Sequence, residues 1–164
     1  MNPFLETAVR VLLIGIGTTM LFDAWLLLLK ALKVPTLNFA YLGRWIGHGW
    51  RGQWRHAAIA KTAPIPGELA IGWVAHYAIG VLFAALLLGV FGLAWAHAPS
   101  LLPALGFGVL TVAAPLFVMQ PAMGAGFASS KTPTPIRNVL KSVINHAVFG
   151  VALYAAAQAT VAWF

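Results

Sequence analysis

The sequence predicts an all-α protein: a four-transmembrane-helix bundle with an interfacial amphipathic segment between the first and second spans. Three observations carry that prediction. Of the 164 residues, 61% are hydrophobic and 8% are charged, whereas soluble domains carry roughly 25% charged residues. Apolar runs long enough to cross a bilayer recur four times along the chain. Nine of the ten Lys/Arg residues fall in the two connections that four spans place on one side, a strong positive-inside asymmetry.

The spans follow from composition and breakers. The first runs from about residue 11 to 29 and is closed by Lys30, Lys33 and then Pro35, which cannot continue a helix. This run holds Asp23 and ends in Leu26–Leu29 without a small-residue cleavage site, so it reads as an uncleaved span rather than a signal peptide. The second covers about 68–95 after the turn signal Pro66-Gly67. It exceeds the bilayer thickness, so it tilts or protrudes. The third covers about 101–119, with Pro115 as an expected kink. The segment from Met123 to Pro135, rich in Gly, Ser, Thr and Pro, reads as a loop. The fourth covers about 142–163. One integral membrane domain spans residues 1–164. The charge bias makes both termini face outward, to the periplasm in a bacterium, and it explains the net charge of +7 without nucleic acid. With no cysteine, disulfides, thiolate metal sites and a cysteine nucleophile are excluded.

Polar residues inside the spans fall at helical spacing. Gly15, Thr19 and Asp23 recur every four residues in the first span, Glu68, Gly72, His76 and Gly80 in the second, and His146, Gly150, Tyr154 and Gln158 in the fourth. Residues four apart share a helix face, and small ones let helices approach closely in lipid. At 1.5 Å per residue Asp23 lies about 10 Å inward from Lys30, His76 about 12 Å from Glu68, and His146 about 8 Å from Lys141. These depths are compatible with one polar layer in the cytoplasmic half. Intramembrane ionisable residues normally face the bundle interior or a water-filled cavity.

Two chemistries fit such a layer. Asp23, His76 and His146, with Glu68 as a fourth candidate catalytic group, offer carboxylate and imidazole ligands to a divalent metal. The same groups suit acid–base work on a lipid-soluble substrate. A haem ligated by His76 and His146 is a further possibility. Against these stands a structural reading, in which Asp23 pairs with a histidine or Thr19, His76 donates to a carbonyl, and Glu68 favours the positive end of its helix. That reading makes the chain a non-enzymatic assembly or partner protein. A small transporter would need a homo-oligomer to enclose a path.

The first long connection is the amphipathic segment. If it is helical throughout, Arg44, His48, Arg51 and Arg55 form one stripe, and Leu42, Ile46, Trp50 and Trp54 form the other. Arginines then meet anionic phospholipid headgroups while tryptophans sit at headgroup depth. Gly43, Gly47, Gly49 and Gly52 oppose a continuous helix.

Three stretches, Leu42-Gly-Arg-Trp-Ile-Gly-His48, Pro66-Gly-Glu-Leu-Ala-Ile-Gly-Trp-Val-Ala-His-Tyr-Ala-Ile-Gly80 and Met119-Gln-Pro-Ala-Met-Gly124, resemble a family of small bacterial membrane proteins, the domain of unknown function 2938. The resemblance covers nearly the whole chain. It implies a bacterial inner-membrane location and transfers no catalytic residue.

Overall fold

The computed structural model describes residues 2–164. It is all-helical among those residues. The main helices are α1 (Pro3–Ala31), α2 (Phe39–Gly49), α3 (Glu68–His97), α4 (Leu101–Leu110), α5 (Gln120–Met123) and α6 (Pro135–Thr160). Four stretches are long and apolar enough to cross a membrane: Pro3–Ala31, Glu68–His97, Leu101–Met123 and Pro135–Trp163. The protein is therefore a multi-pass membrane protein, as its composition requires.

Helix ends differ from the expected spans where capping chemistry extends them. α1 starts at Pro3, not near residue 11, because the Asn2 side chain accepts the Phe4 N–H at 2.9 Å and Pro3 occupies the first helical position. α6 starts at Pro135, seven residues before the expected Ser142, again with proline where a missing N–H is harmless. The third span is irregular around Pro115. α4 gives way to a turn at 111–112, and Pro115–Met119 is π-helical before α5 resumes. Proline removes a donor and crowds the preceding turn, which widens the hydrogen-bond ladder. In α3, Gly92 leaves the helical region at φ +72°, a conformation glycine adopts without a Cβ clash.

The chain divides into two compact units. Unit 1 contains residues 1–36, 77–110 and 145–164. Its core is Ile14, Ala84, Leu87, Leu88, Trp95, Ala104, Phe149 and Leu153 with small alanines between them. Phe83 packs edge-on against Phe107 and Phe149, and Phe22 does so against Phe149. The small residues singled out by spacing lie at the helix crossings. Gly15 faces the Val81 backbone, Gly80 faces Thr19, and Gly108 and Gly150 meet backbone to backbone. Such crossings replace the hydrophobic drive that lipid cannot supply.

Unit 2 contains residues 37–76 and 111–144. Phe39, Leu42, Ile59 and Leu116 are its buried apolar residues. It holds both long connections, and it carries most of the charge. Seven of the ten Lys/Arg and one of the three acids belong to it, leaving +6; unit 1 has three and two, leaving +1.

Candidate functional site

Unit 2 contains the first and third of the stretches quoted above and the second as far as His76. α2 lies across the first turns of α3, and glycine makes the approach possible. A Cβ at Gly43 would collide with the carbonyl of Glu68, one at Gly72 with the carbonyl of Phe39, and one at Gly47 with the Ile65 side chain. This contact aligns Arg44 with Glu68. Arg44 Nε donates to Glu68 Oε2 and Nη2 to Oε1, both at 2.8 Å. Nη1 turns to the following turn and donates to the carbonyls of Thr62 at 2.9 Å and Ile59 at 3.2 Å. The Ile65 N–H completes Glu68 Oε2 at 3.1 Å. Paired parallel bonds of this kind are the strong form of the arginine–carboxylate contact. Hydrogen bonding to Glu68 holds the Arg44 guanidinium above its ordinary pKa.

Around this pair the connections fold onto each other. His48 Nε2 bonds the Ala63 carbonyl at 2.9 Å. The His56 ring is buried between the Gln53 carbonyl and the Thr62 hydroxyl, each at 3.2 Å. The His56 backbone N–H donates to the Ala122 carbonyl at 2.8 Å. Gly124, at φ +98°, rests on the carbonyls of His56 and Ala57, where no side chain fits. Beyond it Ala128 and Ser129 also take left-handed backbone angles, and the buried Ser129 hydroxyl donates to Gln120 Oε1 at 2.9 Å.

These contacts correct the picture of one amphipathic helix. α2 ends at Gly49, and Gly52 takes φ +82° in the turn that follows, as the glycine content of the segment foreshadows. Arg44, His48, Arg51 and Arg55 therefore do not form one stripe. Arg44 is buried and committed to Glu68, while Arg51 and Arg55 are exposed on the loop. Glu68 does sit in the first turn of its helix, as the dipole argument expects, but it is also half of an ion pair.

The ionisable residues within the spans belong to both units. In unit 2 the His76 ring stacks on Phe39, with centroids 4.4 Å apart, and meets the Trp73 edge at 5.8 Å. In unit 1 Asp23 accepts the Tyr77 hydroxyl at 2.9 Å, and His146 hydrogen-bonds the Gly108 backbone. Next to them in sequence, Trp25 Nε1 donates to Asn145 Oδ1 at 3.0 Å. Gln158 donates to the Pro99 carbonyl in the turn between α3 and α4 at 3.0 Å, and to the Tyr154 hydroxyl of its own helix at 3.2 Å. No group of three or more His, Asp or Glu side chains able to hold a metal ion occurs among the described residues.

Sequence reasoning missed Arg10. It is the one Lys/Arg outside the two basic connections, and it is 1% exposed. It donates from Nε to Glu6 and from Nη1 to the Ala96 carbonyl at 2.9 Å and the Thr160 hydroxyl at 3.2 Å. Phe164 covers its guanidinium. One side chain thus ties α1 to the carbonyl ends of α3 and α6, where a cation also complements the helix dipoles. Glu6 further engages His97. The available signal was the four-residue spacing of Glu6 and Arg10. Arg10→Gln is expected to lower the melting temperature in detergent by roughly 5 °C, since it leaves buried carbonyl and hydroxyl partners short of a donor. An unchanged melting curve would remove Arg10 from this role.

A protein-family model described as "Protein of unknown function (DUF2938)" matches residues 12–160. No curated protein and no solved structure matches the chain.

Proposed function

The chain belongs to the DUF2938 family, and from its own geometry we propose that it is a non-enzymatic membrane assembly or partner protein whose buried polar groups are structural. It carries a folded basic cap on the cytoplasmic face of a bacterial inner membrane, with both termini periplasmic. One observation supports this reading above all: the ionisable residues expected to do chemistry are engaged by groups of the protein itself. Glu68 gives both oxygens to Arg44, Asp23 takes the Tyr77 hydroxyl, and His146 bonds the Gly108 backbone. Groups used in this way fix helix register within each unit, which is what intramembrane polar contacts do when they are not on a transport path.

The orientation rests on the concentration of cations in the two connections of unit 2, which the positive-inside rule assigns to the cytoplasm. Elemental analysis and haem titration of the purified full chain test the non-enzymatic reading. The expected result is no stoichiometric metal, no haem spectrum on titration, and no change in metal content in His76→Ala. Stoichiometric metal lost in His76→Ala, or a haem spectrum lost in that variant, would replace this reading with a ligand-binding one.

A further inference from the structure

We propose that the exposed face of unit 2 formed by Trp50, Arg51, Trp54 and Arg55, with Lys61 further along the same connection, docks the phosphodiester headgroups of anionic phospholipids. Its failure and that of the assembly reading are separable, because neither metal content nor the Arg44–Glu68 pair enters its test.

The face is held in shape by the rest of the unit. The N–H groups of Arg51 and Gln53 both donate to the His48 carbonyl, and that of Gly52 to Gly49. Trp45 Nε1 donates to the Trp54 carbonyl at 2.9 Å, and the Trp54 ring lies over Gly49, where a Cβ would strike it. The loop therefore presents its outward side chains from a fixed backbone. Trp50 is 71% exposed and Trp54 49%. Arg51 and Arg55 are exposed between and beside them.

Charge selects the ligand. Glu68 is the acid of unit 2, and Arg44 occupies both of its oxygens. Unit 2 has no second acid to neutralise the outward arginines. Guanidinium forks match phosphate oxygens and are weakly hydrated, and indole rings favour the headgroup region, where one edge is wet and the body is apolar.

Geometry selects the source. Arg44 pins the Ile59 and Thr62 carbonyls beside Glu68, the first residue of a helix long and apolar enough to cross a membrane. The connection is therefore tethered to the end of that helix, and the anions that surround the end of a helix in a bilayer are lipid headgroups. Basic residues in this zone each contribute to attraction by an anionic leaflet.

The test relipidates the full chain with equimolar phosphatidylglycerol and phosphatidylcholine and counts retained lipids by native mass spectrometry. Wild type is expected to retain phosphatidylglycerol preferentially. Arg51→Gln/Arg55→Gln is expected to reduce that preference about tenfold with an unchanged melting temperature. Arg51→Lys/Arg55→Lys, which preserves charge if the glutamine variant folds poorly, is expected to keep most of the preference. Lys131→Gln/Arg137→Gln, which removes other exposed cations of the unit, is expected to lose far less than the Arg51/Arg55 variant. Equal retention of the two lipids by wild type overturns the proposal, as does a preference that survives in Arg51→Gln/Arg55→Gln. Displacement of the bound lipid by inorganic phosphate at matched concentration would overturn it in favour of a soluble anion. Displacement by an acidic peptide alone would overturn it in favour of a protein partner.

Discussion

Gly43→Ala is expected to release α2 from α3 and to cost on the order of 3 kcal/mol or more. The added Cβ would overlap the Glu68 carbonyl and crowd the Gly72 amide. Backbone atoms of two helices cannot swing aside as the end of a flexible side chain can, so relief requires the helices to separate. Separation breaks the Arg44–Glu68 fork at the same time, which makes the effect larger than the overlap alone. Thermal unfolding in detergent and protease cleavage within residues 50–62 both read the outcome. Gly106→Ala is the matched control, because nothing lies near its Cβ position. Alanine favours a helix by up to about 1 kcal/mol over glycine, so this variant is expected to be neutral or slightly more stable. If Gly43→Ala melts with Gly106→Ala, the close crossing does not hold α2 against the start of α3.

Arg44→Gln and Glu68→Gln are each expected to destabilise the protein by about 2–3 kcal/mol. Breaking a fully dry ion pair costs more, but these side chains retain 10% and 17% exposure. The exchanged pair Arg44→Glu/Glu68→Arg is expected to recover little. Glutamate at 44 cannot donate to the Ile59 and Thr62 carbonyls, and arginine at 68 cannot accept the Ile65 N–H. Poor rescue would separate a site-specific clamp from a simple attraction of opposite charges. Recovery of wild-type stability by the exchanged pair would mean that the carbonyl and amide contacts carry none of the energy.

Much of the candidate site was visible in the sequence as spacing. Gly72 and Gly80 lie on one helical face of α3, and both turn out to be places where another backbone comes close, Phe39 at the first and Gly15 with Thr19 at the second. Glycine at four-residue spacing in an apolar run carries that message because only close approach compensates its loss of packing surface in lipid. Partners were less visible. The spacing offers Asp23 a histidine or Thr19 and gives no hint of Tyr77, whose hydroxyl it accepts within its unit, while Thr19 bonds the Gly15 carbonyl of its own helix. A periodicity locates a face, and it does not say which of several donors on another helix reaches it.

The residues alone determined the solvent of this protein: too many apolar side chains and too few charges for water, arranged in runs of bilayer length, with cations gathered in two connections. They also determined where the helices could touch closely, since glycine is the only side chain that leaves such room. The fate of each charge was decided by tertiary structure. Arg44 and Arg51 are the same residue type seven positions apart in one basic segment. One is buried against Glu68, and the other is exposed beyond a turn at Gly49–Gly52. Arg10, the one cation outside the two basic connections, is buried against the C-terminal ends of α3 and α6. Whether a guanidinium is consumed inside or offered outside depends on which carboxylate or carbonyl the folded chain carries to within 3 Å of it, and that distance is a property of packing between segments remote in sequence.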